Sequence, residues 1–189
     1  MSQRQLNPYE NVVWESTPSQ WVNFGIYAKW FVWALFWLAL LLALHLNEYA
    51  FTDWAHSLQA LRDANFSPIP LGTGFVAGAL LMAAGNSLWS YLKVKTTRFV
   101  LTTERLFTYS GVLNKQIDEL ELYRVKDYSQ YKPFVMRLAG LGCVSVETSD
   151  RSHPIVRIDG IKDPDFLQGL LRQHGELRRN ARGVRELDM

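Results

Sequence analysis

The chain has 189 residues, a formal net charge of +2 and a single cysteine, Cys143. One cysteine excludes an intramolecular disulfide and a thiolate-bound metal cluster. The small charge excludes the dense basic surface that is typical of nucleic-acid-binding domains, so we expect no nucleic-acid partner.

Residues 1–23 are polar, with scattered aromatic anchors. We expect a cytoplasmic N-terminal segment in which residues 10–15 form a short strand, because valines and a tryptophan follow one another there. The alternative is an unstructured tail. Trp21 lies at the depth at which aromatic side chains meet a membrane surface.

Two long apolar stretches follow, at residues 24–46 and 71–92. A helix of roughly 22 residues spans about 30 Å, the thickness of the hydrocarbon core of a bilayer. Two core helices of a soluble protein are the alternative, but a short chain rarely needs two helices that are apolar all round. We therefore predict two transmembrane helices. We expect no cleavable signal peptide, since the first stretch is longer than the apolar part of a typical leader.

Flanking charges predict the orientation of these helices. Residues 47–70 contain one cation, Arg62, whereas Lys93, Lys95, Arg98 and Arg105 follow the second stretch. The positive-inside rule places both termini in the cytoplasm, in a bacterial inner membrane. Residues 47–70 then form a periplasmic loop, in which apolar residues at helical spacing predict an amphipathic helix. This helix lies on the membrane surface or docks a periplasmic partner.

Small residues recur four apart within both apolar stretches, which allows helix backbones to approach closely. They pack the two helices on each other, or on another membrane-protein subunit or a second copy of the chain. Asn86 is expected to bond to a neighbouring helix or to backbone. The predicted packing residues are Ala39, Ala43, Gly74, Gly78, Ala79, Ala83 and Asn86.

From residue 93 the apolar pattern changes to a period of two, which predicts about seven short antiparallel strands. Asp163 and Pro164 then predict the start of one amphipathic helix. The fold class is α+β: two transmembrane helices, then a small antiparallel β-barrel or sandwich over residues 93–175 with the C-terminal helix at its open end. Residues 176–189 are expected to be a polar basic tail.

The runs FVLTTERL at 99–106, SGVL at 110–113 and LELYRVKD at 120–127 occur in this order, followed by RLAGLG at 137–142 and VSVET at 144–148. Together with Asp163-Pro164 they resemble the bacterial pleckstrin-homology (PH)-like domain of YdbS/YdbT-type membrane proteins. The resemblance covers nearly the whole chain. It implies a PH-like fold and a membrane location, and it supplies no catalytic or ligand-binding residues.

No cluster of residues predicts chemistry. The four histidines are dispersed along the chain, so we expect no metal site, and we expect no cofactor. Cys143 begins a strand and is expected to be a small buried hydrophobe. Glu119 and Glu121 share one face of a strand, where a solvated sheet surface explains them better than paired catalytic carboxylates do. We therefore predict no catalytic residues and no enzymatic activity.

Two functions remain in competition, beside a membrane enzyme for which the sequence offers no site. The first is a non-enzymatic inner-membrane protein whose cytoplasmic domain docks other proteins, as an accessory or scaffold subunit of a membrane complex. The second is the binding or sensing of anionic phospholipid headgroups. The residues expected to do this are Lys93, Lys95 and Arg98, with Lys115 adjacent across the sheet; alternatively the basic residues only set topology.

Overall fold

The computed structural model describes residues 10–46, 68–150, 154–181 and 183. They form two compact units, one within Met1–Phe24 and Tyr91–Met189 and the other within Gly25–Ser90. The periplasmic loop with an amphipathic helix was predicted in residues 47–70, of which residues 47–67 lie outside the described residues and Pro68 begins α2. In chain order the strands are β1 (Val12–Ser16), β2 (Arg98–Thr102), β3 (Arg105–Ser110), β4 (Gln116–Glu121), β5 (Val125–Tyr131), β6 (Leu141–Thr148) and β7 (Ile155–Lys162). The α-helices are α1 (Phe24–Leu46), α2 (Pro68–Thr96), α3 (Phe134–Leu138) and α4 (Pro164–Ala181), and 3₁₀ helices lie at Gln20–Asn23 and Leu122–Arg124.

Two helices, α1 and α2, are each long and apolar enough to cross a membrane. Large apolar side chains such as Phe31 and Phe36 are exposed along α1, and none of its most apolar window is buried. A core helix of a soluble protein would bury such residues, because exposing them to water is costly. The rings of Trp37 in α1 and Phe75 in α2 meet edge to face, with centroids 5.0 Å apart.

The seven strands form two antiparallel sheets, as the α+β prediction requires. One sheet has the order β1-β2-β3-β4 and the other the order β5-β6-β7. They do not close into a barrel among the described residues, so only the sandwich form of the prediction holds. The 3₁₀ helix at Leu122–Arg124 separates β4 from β5, which explains why those two strands do not pair.

The N-terminal strand β1 pairs with β2, although the two are separated by both apolar helices. The backbone N–H of Thr103 donates to the carbonyl of Asn11 at 3.0 Å. Glu10, whose side chain is buried, accepts a hydrogen bond from the hydroxyl of Thr102 at 2.6 Å. The sheet therefore includes residues that lie ahead of the predicted 93–175 domain, and α1 and α2 are inserted between two of its neighbouring strands.

Helix α4 packs its apolar stripe against both sheets. Its Leu167 and Leu171 are fully buried in a core that includes Leu101, Leu122 and Ile158. The hydroxyl of Tyr128 in β5 donates to the backbone carbonyl of Leu171 at 3.1 Å. A side chain at Gly175 would overlap that hydroxyl, so only glycine lets α4 pass this close.

The predicted tail begins too early. Helix α4 continues to Ala181, and two arginines of its last turns bond to residues of the sheet domain. Arg178 forms an ion pair with Glu104, and Arg179 donates to the carbonyl of Val125 at 2.6 Å. A polar composition is typical of a disordered tail, whereas here two of the polar side chains hold the last turns of the helix on the domain. Arg182 and Arg185 lie outside the described residues.

The buried hydrogen bond between Thr102 and Glu10 is open to a direct test. Thr102→Val keeps the shape of the side chain but removes the donor to Glu10 and the acceptor for the Arg105 N–H. We expect the free energy of unfolding to fall by about 1–3 kcal/mol, measured by near-ultraviolet circular dichroism of the full chain in detergent. Thr108→Val, the same change at a half-buried position, is the control. An equal loss of unfolding free energy in both variants would show that the hydrogen bond between Thr102 and Glu10 does not stabilise the fold.

Burial raises the pKa of Tyr128 to about 12. An unfolded tyrosine ionises near pH 10, so between about pH 10 and 12 the unfolded chain releases a proton that the folded chain retains. Stability contributed by Tyr128 is therefore present below pH 10 and lost as the pH rises through 12. An ultraviolet phenolate titration should show one tyrosine ionising near pH 12 that is missing in Tyr128→Phe. If both proteins titrate alike, Tyr128 is not shielded as the structure indicates.

Candidate functional site

The unit built on the two sheets has one end at which the chain leaves for α1 and returns from α2. Strand β1 ends there, β2 begins there, and the side chain of Gln20 donates to the carbonyl of Tyr91 at 3.1 Å. Arg98, Tyr109 and Ile117 lie side by side on β2, β3 and β4, so the turn after Ser110 belongs to the same end. We call this the helix-proximal end.

All four predicted lipid-binding cations lie toward the helix-proximal end, on three different elements of the chain. Lys93 and Lys95 are in the last turn of α2, and the Lys95 ammonium is 5.6 Å from the centroid of the Tyr91 ring. Arg98 forms an ion pair with Glu15 of β1. Lys115 is exposed in the turn between β3 and β4.

The pairing of Arg98 with Glu15 changes the role of that arginine. The hydrogen bond that Arg98 donates to Glu15 raises the pKa of Arg98, so its charge is retained but is balanced by a carboxylate. Arg98 therefore joins β1 to β2 and is a weaker ligand for an anionic headgroup than the sequence indicates. The missing signal was the partner strand, which lies more than 80 residues earlier in the chain.

The turn that carries Lys115 depends on glycine. Gly111 has a φ of 103°, in the region that side chains disfavour, and a side chain there would overlap the backbone of Asn114. The turn presents Leu113, which is strongly exposed, beside Lys115. An apolar and a basic side chain thus stand together at the helix-proximal end.

The predicted helix-packing residues differ in their surroundings. Ala79 and Ala83 are buried, whereas Ala39 and Ala43 are exposed. No described atom outside their own helix approaches within 4 Å of where a side chain would start at Gly74 or Gly78. These glycines therefore do not bring α1 and α2 into backbone contact in the described chain.

Asn86 bonds within its own helix. Its amide donates to the carbonyl of Met82, four residues earlier, at 2.8 Å. This satisfies the side chain locally, which was one of the two outcomes considered for it. It does not bridge to α1 in the structure.

The described residues contain no group of three or more histidine, cysteine, aspartate or glutamate side chains able to hold a metal ion. Cys143 is buried, its thiol lies 3.5 Å from the sulfur of Met136, and burial raises the pKa of that thiol. Glu119 pairs with Arg105 at 2.7 Å, and Glu121 pairs with Arg124 at 3.1 Å. The two carboxylates are thus held in ion pairs on the sheet.

The outer strands of the two sheets are covered unequally. Side chains of α4 bond to outward-facing carbonyls of β5, where Gln168 donates to Tyr128 at 3.3 Å and Arg179 donates to Val125 at 2.6 Å. Strand β4 pairs with β3 on one side, and no other described strand pairs with it. Its Ile117 is 40% exposed. Strand β4 is therefore an open edge of the four-stranded sheet.

Sequence reasoning missed the surface of α3. Phe134 and Leu138 of this short helix are 65% and 72% exposed. The sequence predicts one helical turn at residues 134–138, which α3 confirms, but five residues do not indicate which side chains lie outward. The helix contacts the 3₁₀ helix at Gln20–Asn23, and so belongs to the helix-proximal end.

Comparison with known families gives one match. The family described as "Bacterial PH domain" matches residues 24–174, which is well over half of the chain. The matched range includes α1 and α2 and begins after β1. Neither the curated proteins nor the solved structures contain a match to this chain. Domains of the PH type are in general non-catalytic modules that bind lipids or proteins.

The ion pair between Arg98 and Glu15 predicts a small coupling between the first two strands. Both side chains are more than two fifths exposed, at 43% and 44%. A double-mutant cycle of Glu15→Gln and Arg98→Gln should therefore give a coupling of about 0.2–1 kcal/mol in unfolding measurements at low salt, and less at high salt. A coupling near zero at low salt would show that the pair does not join β1 to β2.

Proposed function

The chain belongs to the bacterial PH domain family, and from that premise we propose that it is a non-catalytic, membrane-anchored docking protein. In this proposal α1 and α2 cross the bacterial inner membrane with both termini in the cytoplasm. The PH-like domain recruits another membrane-protein subunit or a second copy of the chain. The protein is then an accessory or scaffold subunit of a membrane complex.

The observation that carries this proposal is the open edge at β4. An extended segment of a partner can add to such an edge through backbone hydrogen bonds, with affinity that does not need a deep pocket. The corresponding edge of β5 is closed by α4. Of the four outer strands β1, β4, β5 and β7, we propose β4 as the place where a partner strand adds.

The charges next to the apolar helices support the proposed orientation. Lys93 and Lys95 end α2 on the side that leads into the PH-like domain. Cations flanking a membrane helix favour the cytoplasmic side, because the membrane potential and anionic lipids both hold them there. The domain that follows them would be cytoplasmic for the same reason.

Binding of anionic lipid headgroups is the second candidate function. Exposed Lys93 and Lys115 near the helix-proximal end favour it. The ion pair of Arg98 with Glu15 weakens it, because one of the four expected cations is already balanced. We therefore place protein docking first.

The docking proposal predicts the effect of a charge on the open edge. A lysine on an edge strand opposes the addition of another strand, so Ile117→Lys should release the partner. The intact protein would be extracted in mild detergent and the mass of the particle measured by light scattering. We expect a complex for the natural protein and a smaller particle for Ile117→Lys.

Leu177→Lys is the matched control, since Leu177 of α4 is 57% exposed and lies off the sheet edge. It should keep the complex. A natural protein that is a lone monodisperse monomer would contradict the docking function itself. A complex that survives Ile117→Lys would contradict only the use of the β4 edge.

A further inference from the structure

Helix α3 has a buried side and an exposed apolar side. Met136 points inward and packs with Leu141 and Cys143 in a small cluster of its own. Phe134 and Leu138, spaced four residues apart, share the opposite face and are exposed. Two large apolar side chains are thus exposed on a helix whose other face is packed. Exposed apolar groups of this kind indicate a surface that contacts something else.

The position of α3 indicates the contact. Val22 of the first 3₁₀ helix packs against the same cluster as Met136, and the N–H of Ser19 donates to the carbonyl of Gly160 at 2.8 Å. That 3₁₀ helix continues at Phe24 directly into α1. A bilayer crossed by α1 therefore begins within a few residues of the segment on which α3 rests.

Neighbouring side chains have the character of a membrane interface. Trp21 and Phe24 are partly exposed and stack with ring centroids 5.8 Å apart. Arg137 of α3 places its guanidinium 5.7 Å from the centroid of the Phe134 ring. No acidic residue occurs from position 128 to position 146. Carboxylates reach this region from other elements, where Asp159 interacts with the Cys143 thiol and Asp165 pairs with Lys132. The exposed aromatic rings and Arg137 suit the boundary between acyl chains and phosphates.

A protein partner fits this patch less well than lipid does. A specific protein interface buries about 800 Å² on each side, which two side chains on a five-residue helix cannot supply alone. A membrane surface needs no such area, because the chain is already attached to it. The apolar pair and the arginine match the two layers that lipid presents, acyl chain and phosphate.

We infer that α3 is a second contact of this protein with the membrane. Phe134 and Leu138 insert at the edge of the acyl region of the leaflet that faces the PH-like domain, and Arg137 binds a phosphate of an anionic lipid. The inference rests on the membrane anchoring that is part of the proposed function. It is independent of the open β4 edge and of the lysines in α2.

Spin labelling of the full chain in vesicles tests this contact. A nitroxide is attached to Leu138→Cys in a Cys143→Ala background, and collisions with oxygen and with a water-soluble nickel complex are compared. Leu177→Cys is the control, because Leu177 is also exposed, at 57% against 72% for Leu138. It lies in the last turns of α4, where Arg178 donates to the carbonyl of Thr103 at the far end of β2. We expect a ratio of oxygen to nickel collisions several-fold higher at position 138 than at position 177.

Equal ratios at the two positions would overturn the inference. A label at position 138 that neither reagent reaches would also overturn it, because that result indicates a protein contact. Should Cys143→Ala fail to fold, a benzophenone side chain at position 138 in the natural background provides the same comparison, with a lipid adduct expected there and none at position 177.

The role of Arg137 is tested by lipid composition. In vesicles of phosphatidylcholine with phosphatidylglycerol, Arg137→Glu should lower the ratio at position 138 to the value found in phosphatidylcholine alone. An unchanged ratio would show that Arg137 does not take part in the contact.

An alkaline carbonate wash distinguishes failure of the membrane anchoring from failure of the α3 contact. If the protein leaves the vesicles, the membrane anchoring is contradicted. If the protein stays on the vesicles but the label at position 138 is exposed to water, only the α3 contact is contradicted.

Discussion

The pairing of β1 with β2 constrains the rest of the chain, because it joins residues 12–16 to residues 98–102 across both apolar helices. Closing so long a segment costs chain entropy, although the cost grows slowly with length. The bonds of Asn11 with Thr103 and of Glu10 with Thr102 offset that cost at one end of the pair, and the ion pair of Glu15 with Arg98 does so at the other. As a result the chain leaves the sheets for α1 and returns from α2 at the same end.

Many charged residues of the PH-like domain are used inside the domain. Arg98, Arg105 and Arg178 each pair with a glutamate that belongs to another element of the same unit. Such exposed or half-exposed pairs contribute little to stability one by one, but they decide which cations remain available to a ligand. Lys93, Lys95, Lys115 and Arg137 carry positive charge toward the helix-proximal end. A count of basic residues along the sequence overstates the basic surface for this reason.

Short-range patterns in the sequence predicted the strands and helices that such patterns determine. The change to a period of two at residue 93 predicted the antiparallel strands of the C-terminal part, and Asp163-Pro164 marked the start of α4. The partner of β1 could not be predicted in this way, since strand pairing is a long-range property and the strand has five residues. The length of α4 was missed because Arg178 and Arg179 are polar, and only the folded sheets show that they have carbonyls and a carboxylate to bind. Among the candidate site residues, the sequence showed where the lysines lie relative to the apolar helices. The pairing of Arg98 with Glu15 could not be predicted without the fold.

Attachment to both apolar helices changes what a weak contact can achieve. A free domain that met a bilayer through one phenylalanine, one leucine and one arginine would dissociate quickly, because association costs translational and rotational freedom. In the proposed membrane-anchored state the domain has already lost most of that freedom, so the local concentration of lipid at α3 would be high and a small patch would suffice. The same reasoning applies to a partner strand at β4, provided that the partner is confined to the same membrane. A domain anchored in this way would not need a deep pocket in order to bind, so a sheet edge and a small apolar helix would be adequate surfaces for it.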